Sequence, residues 1–196
     1  MRVIAGSAKG RKLYSVRGPG TRPMTNRAKA ALFSILGPNV LQSTFLDLFA
    51  GTGQVGIEAL SRGAAHAVFV ELRHSPIHAI YDNLKVTKLA DRADVVRADV
   101  FKYLTHTPEP FDYIYIAPPQ YRGLWIQTLQ LVDEEPGWLE DDGWAIVQIN
   151  PQEFEPLELR NLVLFDQRTY GSVMLCFYAI PVEVEAVENG DALLEM

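Results

Sequence analysis

The sequence predicts a single α/β domain in which helices cover both faces of a mostly parallel sheet. Apolar runs of strand length alternate with helical stretches between residues 44 and 149, and such alternation is typical of a parallel sheet. Two more strand-like runs, 161–168 and 172–180, are separated by a turn at 170–171 that is too short for a crossover helix. These last two strands must therefore pair antiparallel. The length of 196 residues suits one domain with a full core.

The first 40 residues are predicted to form a basic hairpin followed by a helix. Strand-like pieces at 2–5 and 12–14 flank a glycine-containing tip. Thr25 precedes apolar residues at helical spacing and can cap the helix with its hydroxyl, and a Gly-Pro pair at 37–38 would end it. We therefore expect residues 1–40 to form an extension of the main domain.

The main domain, residues 41–181, is predicted to hold the sheet and its covering helices, followed by an acidic tail at 182–196 that frays. The predicted strands span 44–49, 67–71, 94–97, 112–117, 143–149, 161–168 and 172–180. The predicted helices span about 54–63, 76–88, 99–105 and 122–134.

Histidine and cysteine usage predicts no metal site. His74 and His78 are four residues apart, but the Ser-Pro pair at 75–76 is typical of a helix start and would leave His74 outside that helix. The single cysteine, Cys176, lies in an apolar run, which indicates a buried structural thiol and fits a reducing cytosol. No apolar run approaches the ~20 residues needed to cross a bilayer, and no signal peptide is evident. We expect a cytoplasmic protein without a membrane partner.

The formal net charge of −6 hides a strong asymmetry along the chain. Residues 1–46 hold eight basic residues and no acid, whereas the remainder holds ten basic and 24 acidic residues. A basic extension on an acidic domain favours local contact with a polyanion, although a merely solvated surface is the alternative. The eight basic residues are Arg2, Lys9, Arg11, Lys12, Arg17, Arg22, Arg27 and Lys29.

A glycine-rich turn joins the first predicted strand to the helix that follows it. Gly51, Gly53 and Gly56 match the spacing G-x-G-x-x-G, and Glu71 closes the next strand about 20 residues later. Glycines at such a junction permit positive φ and close approach of a ligand to the backbone. A nicotinamide-dependent oxidoreductase is therefore one candidate.

Three further features favour another nucleotide-type cofactor. Asp47 stands just before the glycines, where dinucleotide-binding strands are usually apolar. Asp99 ends the third strand, where an adenine amino group could be bound. The fourth strand ends in a double-proline turn, Ala-Pro-Pro-Gln-Tyr at 117–121.

These features belong to a resemblance that covers nearly the whole chain. The segments that carry it are 3–6, 9–13, 21–27, 31–33, 47–53, 56–64 and 170–171. Together they resemble the bacterial small-subunit rRNA guanine-N2 methyltransferases, within the class I S-adenosylmethionine-dependent methyltransferases. The glycine turn is common to many methyltransferases, whereas the basic segment and the run Glu-Ala-Leu-Ser-Arg-Gly-Ala at 58–64 are more specific.

The resemblance implies a Rossmann-like fold with a seven-stranded sheet whose last strand is antiparallel, and it implies S-adenosylmethionine as cofactor. Glu71 would accept hydrogen bonds from the ribose hydroxyls, Asp47 would hold the methionine ammonium, and Asp99 would accept from the adenine amine. Capping of the following helices is the alternative role for Glu71 and Asp99. The implied cofactor-binding set is Asp47, Phe49, Gly51, Gly53, Glu71, Leu72, Asp99 and Val100.

The implied catalytic turn departs from the family pattern. In amino-methylating relatives the fourth strand ends in Asn or Asp, then Pro-Pro and an aromatic residue, and the side-chain oxygen and the first proline's carbonyl orient the target amine. Here Ala117 holds the first position and Gln120 the aromatic position. Gln120 could replace the missing acceptor and Tyr121 the stacking face, while the Pro118 carbonyl does not depend on side-chain identity. The implied catalytic set is Ala117, Pro118, Gln120 and Tyr121.

The sequence thus predicts methyl transfer to the exocyclic N2 amine of a guanine in 16S rRNA, either naked or in a small-subunit assembly intermediate. The predicted phosphate-contacting residues are Arg2, Lys9, Arg11, Lys12, Arg22, Arg27 and Lys29. Three alternatives remain open. They are an RNA-binding homologue with little or no activity, suggested by Ala117, a nicotinamide-dependent oxidoreductase, and a methyltransferase acting on a protein glutamine or a DNA adenine.

Overall fold

A computed structural model describes residues 1–16 and 24–181, and within them the chain forms one seven-stranded sheet. The strands are β1 (Thr44–Leu48), β2 (His66–Glu71), β3 (Ala93–Arg97), β4 (Phe111–Ile116), β5 (Leu139–Ile149), β6 (Val163–Tyr170) and β7 (Val173–Ala179). Their order across the sheet is β3-β2-β1-β4-β5-β7-β6. β7 runs antiparallel to both of its neighbours, and the pairs from β3 to β5 are parallel. The predicted fold class is confirmed.

Helices cover both faces of this sheet. They are α1 (Asn26–Leu36), α2 (Gln54–Ser61), α3 (His74–Thr87), α4 (Val100–Tyr103) and α5 (Leu124–Glu134). One core cluster packs α1, α2 and α3 against one face through residues such as Phe33, Ile57 and Ile80. A second cluster packs α4 and α5 against the other face, with Trp125 and Leu129 at its centre. Strands covered on both faces are apolar at nearly every position, which explains why these strands could be predicted from apolar runs in the sequence.

Three local predictions need correction. Helix α3 begins at His74 rather than after it, and Pro76 occupies a position in the first turn whose N–H would have no partner anyway. Strand β5 begins at Leu139, because the acidic stretch before Gly143 is extended and irregularly paired with β4. In the N-terminal segment, which is the described part of residues 1–40, the predicted hairpin is reduced to one isolated antiparallel bridge between Arg2 and Lys12.

The corrected start of α3 places both His74 and His78 on one helix. Even so, no cluster of three or more His, Cys, Asp or Glu side chains with metal-binding geometry occurs in the part of the chain described here. Within the same residues, no helix combines the length and apolar character that a membrane span requires. Cys176 is buried as predicted.

The N-terminal segment is anchored on α2 by the buried carboxylate of Glu58. This carboxylate accepts hydrogen bonds from the backbone N–H groups of Ile4 at 2.8 Å and Ala5 at 3.0 Å. It also pairs with Lys29 Nζ at 3.2 Å and Arg62 Nε at 3.0 Å. The backbone of residues 4–5 therefore finds its partners on a helix instead of in a second strand, which is why the hairpin is so short.

Candidate cofactor and active site

A cavity of about 450 Å³ opens at the carboxyl ends of β1, β4 and β5. This central cavity lies where ligands of open α/β sheets usually bind, because helices on opposite faces diverge there. The glycine turn after β1, the double-proline turn after β4 and the side chain of Gln148 on β5 line it. The N-terminal segment completes the wall with Met1 and Met24.

Asp47 lies on β1 at the floor of the central cavity and is almost fully buried. Its Oδ2 accepts a hydrogen bond from the Gly56 N–H at 3.0 Å. Burial raises the pKa of Asp47 to about 8; the Gly56 hydrogen bond opposes the rise, and the nearby charge of Glu71 adds to it. A cation entering the cavity would compensate this carboxylate and favour its ionised form.

The three glycines of the turn have different physical roles. Gly51 has a φ of +55°, and a Cβ there would meet only the Phe49 carbonyl oxygen, at an ordinary contact distance of 3.9 Å. Gly53, with a φ of +73°, precedes α2, and a Cβ there would come within 3.1 Å of the Phe69 ring. At Gly56 a Cβ would come within 2.5 Å of the same ring. Gly51 thus leaves room for a ligand, whereas Gly53 and Gly56 permit close packing of helix on strand.

Gln54 is a residue that the sequence analysis missed. It is the first residue of α2, it is buried, and it lines the central cavity, as Asp47 does. Its Oε1 has no hydrogen-bond partner among the residues that the structure describes. An unsatisfied buried amide oxygen costs about 1–3 kcal/mol, so this atom is suited to accept a hydrogen bond from a bound ligand. A glutamine after a glycine turn carries no distinctive sequence signal.

Glu71 ends β2, and its carboxylate is buried and already hydrogen-bonded. Oε2 accepts from the Gly51 N–H at 3.0 Å, and Oε1 accepts from the Arg73 N–H at 2.9 Å. The Arg73 guanidinium also pairs with Oε1 at 3.2 Å and is half exposed. The Glu71 side chain therefore links the glycine turn to the start of α3.

Asp99 follows β3 and caps α4. Its Oδ1 accepts from the N–H groups of Phe101 at 3.0 Å and Lys102 at 3.2 Å. Leu72 is exposed and Val100 is buried. The central cavity brings together Asp47, Phe49 and Gly51 with the proline turn, whereas Gly53, Glu71, Leu72, Asp99 and Val100 lie outside its lining.

All four residues of the implied catalytic set line the central cavity. Pro118 is buried, Ala117 and Gln120 are half-buried, and Tyr121 is 64% exposed. Tyr121 has a φ of +61°, a conformation that costs a non-glycine residue about 1–2 kcal/mol. Its N–H donates to Glu153 Oε2 at 2.6 Å, and this charge-assisted bond holds the turn in place.

Tyr115 and Gln148 form a second pair that the sequence analysis missed. The buried Tyr115 hydroxyl donates a hydrogen bond to Gln148 Oε1 and lies 3.7 Å from the sulfur of Met24. Burial, followed by the charge of Asp47, raises the pKa of Tyr115 well above its usual value. The hydroxyl therefore keeps its proton and acts as a fixed donor at any working pH.

The predicted RNA-contacting residues separate into three groups. Arg2, Lys9, Arg11, Lys12 and Arg27 are exposed. Lys29 is fully buried, and burial lowers its pKa while Glu58 opposes that change. The prediction that Lys29 contacts phosphate is therefore wrong, because its ammonium is committed to Glu58 and to the Arg2 carbonyl at 2.9 Å.

Arg22 forms the third group and lies outside the described residues, as do Arg17 and the predicted acidic tail at 182–196.

Comparison with known proteins agrees with this geometry. The model of a family described as conserved hypothetical protein 95 matches residues 1–179. The chain is 36% identical to YlbH of Bacillus subtilis over 181 residues, which cover 91% of this chain and 98% of YlbH. It is 34% identical to ribosomal RNA small subunit methyltransferase D of Escherichia coli K12 over 178 residues, covering 91% and 89% of the two chains. The solved structure of Escherichia coli yhhF superposes with a TM-score of 0.81 at 32% identity, covering 92% and 97%.

Proposed function

The chain belongs to the family described as conserved hypothetical protein 95, and we propose that it transfers a methyl group from S-adenosylmethionine to the N2 amine of a guanine in 16S rRNA. The name of the Escherichia coli relative supports an rRNA substrate in the small subunit. The proposal places the reaction in the cytoplasm, on naked rRNA or on a small-subunit assembly intermediate.

One observation carries this proposal. A single cavity joins Asp47 on β1 and Gly51 in the turn after it to the double-proline turn after β4. A methyl donor bound at the first feature and an amine bound at the second would meet inside it. Methyl transfer needs this kind of positioning, because aligned reactants within contact distance account for much of the rate acceleration.

The residues present fit the methionine end of the cofactor. Asp47 is a buried carboxyl group with no neighbouring cation in the described residues to stabilise its ionised form, and Gln54 Oε1 is a buried acceptor without a donor. An ammonium group is a ligand that each of them is suited to bind. When bound, S-adenosylmethionine would supply an electrophilic methyl group on a sulfonium centre.

At the adenosine end, Glu71 would bind the ribose hydroxyls and Asp99 the adenine amine, flanked by Leu72 and Val100. Glu71 Oε1 is shared with the Arg73 side chain, and this side chain is exposed enough to move aside. Hydrogen bonds from hydroxyls to an ionised carboxylate are worth about 1.5–3 kcal/mol each. Asp99 keeps Oδ2 for a ligand, since the helix cap occupies Oδ1.

Residues 1–40 would contact the rRNA backbone with the exposed cations Arg2, Lys9, Arg11, Lys12 and Arg27. Such contacts position the protein without selecting a sequence. The exposed ring of Tyr121 at the cavity mouth is suited to stack on an extruded base.

The test uses small ribosomal subunits from cells that lack this chain, incubated with the purified protein and tritium-labelled S-adenosylmethionine. The expected product is N2-methylguanosine in 16S rRNA, identified by mass spectrometry of the nucleosides. An Asp47→Asn variant, which keeps an acceptor for Gly56 but loses the charge, should incorporate far less label. Label in another nucleoside, or none with the unaltered protein, would contradict the proposal.

Ala117 favours a second candidate, a homologue that binds RNA and cofactor without turnover. In that case, calorimetry would detect S-adenosylhomocysteine binding, and the same incubation would give no labelled rRNA. The nicotinamide-dependent alternative would require tight NAD binding without a response to S-adenosylhomocysteine.

A further inference from the structure

We propose that Gln148 binds the target amine and replaces the acceptor that Ala117 cannot supply. This inference rests on the proposed function and names the residue that orients its substrate. The catalytic acceptor would thus have moved from the end of β4 to the neighbouring strand.

The strand register brings Gln148 beside Ala117. β4 and β5 are parallel, with Ile114 next to Ala145 and Ile116 next to Val147. Ala117 directly follows β4 and Gln148 directly follows Val147 in β5, so continuing this register by one residue places Ala117 beside Gln148. Register partners on neighbouring strands point to the same face of a sheet. The Gln148 side chain therefore extends on the face where a longer side chain at position 117 would have extended, and both residues line the central cavity.

Tyr115 holds the Gln148 amide in a defined orientation. Its hydroxyl is a permanent donor to Oε1, so that oxygen is anchored while its second lone pair remains available. The anchor comes from the strand that carries Ala117, two residues earlier. A group held on central strands by a buried partner is positioned more accurately than one on a loop.

Gln120 offers the same amide but in a less constrained place. It lies in the turn next to the exposed Tyr121, and no hydrogen bond of its side chain occurs within the described residues. Gln148 is half-buried like Gln120, but its side chain is anchored by the Tyr115 hydroxyl. This difference favours Gln148 as the acceptor and leaves Gln120 to contact the base or the RNA backbone.

The chemistry requires an acceptor and no base at this position. Gln148 Oε1 accepts an N–H of the target amine and turns the nitrogen lone pair toward the methyl group. The N–C bond forms as the C–S bond breaks, and the electron pair of that bond stays on sulfur in S-adenosylhomocysteine. The methylated nitrogen then loses its proton to water, and the Gln148 amide stays neutral throughout.

The experiment compares methyl transfer to undermethylated small ribosomal subunits by the unaltered protein, Gln148→Ala, Gln120→Ala and the double variant Gln148→Ala/Ala117→Asn. Gln148→Ala should lower kcat by about 100-fold, as loss of one preorganised hydrogen-bonding group does elsewhere. Its Kd for S-adenosylhomocysteine should stay within about twofold, because the proposal assigns Gln148 to the amine rather than to the cofactor, and this binding also shows that the variant folds. Ala117→Asn should restore about tenfold or more of the lost rate by returning an acceptor to β4.

Gln167→Ala, on the exposed edge strand β6, is the matched control and should retain full activity. An active unaltered protein with an equally active Gln148→Ala variant would overturn this inference alone. The inference would also be wrong if Gln120→Ala caused the larger loss, or if Ala117→Asn restored nothing. Absence of methylation by the unaltered protein would overturn both this inference and the proposed function.

Discussion

At the scale of single residues, Asp47 has an ionisation state suited to binding a cation. With a pKa of about 8, the carboxyl holds its proton in most molecules at pH 7 when the cavity contains no cation. An ammonium bound beside it would favour the ionised form, so binding would release that proton. The same burial that keeps Asp47 neutral would therefore make its affinity for the cofactor depend on pH.

We predict that S-adenosylhomocysteine binding at pH 7 releases a large fraction of one proton per protein. Calorimetric titration in buffers with different ionisation enthalpies measures this number directly. The Asp47→Asn variant should bind more weakly and lose the release, because an amide has no proton to give up in this range. A binding enthalpy that does not change with the buffer would contradict the prediction.

The residues of the site differed in how well the sequence indicated them. Asp47 and Gly51 belong to a motif with a stated physical role, and the double proline marks the end of β4. Gln54, Tyr115 and Gln148 carry no such signal. Their importance follows from burial and from the register between β4 and β5, which pairs residues about 30 positions apart.

At the scale of elements, the turn after β4 depends on a carboxylate from another loop. Glu153 lies in the short helical turn after β5, and its two oxygens bind different partners. Oε1 accepts from the Asn150 N–H at 3.2 Å, and Oε2 accepts from the Tyr121 N–H at 2.6 Å. Because Tyr121 has a positive φ, the turn would relax if this bond were removed.

We predict that Glu153→Ala weakens the interaction with the RNA substrate and leaves cofactor binding nearly unchanged. Loss of a charge-assisted hydrogen bond, about 1.5–3 kcal/mol, would let the Tyr121 ring adopt several positions. Steady-state methylation should show a higher KM for small subunits, with an unchanged Kd for S-adenosylhomocysteine. Glu155→Ala, two residues away and exposed, is the control. Equal KM values for the two variants would show that the turn does not need Glu153.

Most element boundaries were predictable because buried parallel strands are continuously apolar. The exceptions have physical causes. The start of β5 is acidic and exposed, so it resembled a loop, and Gly143 permits the irregular pairing because a Cβ there would come within 2.8 Å of the Phe111 carbonyl oxygen. Pro76 suggested a later start for α3, although a proline is tolerated anywhere in the first turn.

At the scale of the whole molecule, the N-terminal segment is part of the main core. Besides contacting Glu58, this segment contacts α3, where the Tyr14 N–H donates to Asn83 Oδ1 at 2.6 Å. Asn83 Nδ2 in turn donates to the Thr52 carbonyl in the glycine turn at 2.9 Å. The segment proposed to contact RNA thus shares hydrogen-bond partners with the turn proposed to contact the cofactor. A boundary at residue 40 therefore reflects the distribution of charge along the chain, but it does not separate two independently packed units.

We predict that Glu58→Gln lowers the free energy of unfolding by about 3–5 kcal/mol, because it leaves the Lys29 ammonium buried without a counter-charge. Urea denaturation followed by circular dichroism measures the change. The exposed Glu158→Gln variant should lie within about 0.5 kcal/mol of the unaltered protein. The double variant Lys29→Met/Glu58→Gln should recover much of the loss, and failure to do so would show that the backbone contacts of residues 4–5 dominate.

The charge asymmetry of the molecule leads to a prediction about RNA binding. An acidic domain would be repelled by rRNA, so affinity must come from the exposed cations of the N-terminal segment. Each cation that contacts a phosphate contributes about 0.7–0.9 to the slope of log affinity against log salt concentration, because binding releases condensed counterions.

Lys9→Ala and Arg11→Ala should each reduce that slope by up to about one and weaken binding to all rRNA fragments alike. Arg168→Ala, on the edge strand β6 and paired with Asp166, is the control and should change neither quantity. Fluorescence anisotropy with labelled 16S rRNA fragments between about 50 and 200 mM salt measures both, and a slope that depends on Arg168 but not on Lys9 or Arg11 would place the RNA on a different face of the protein.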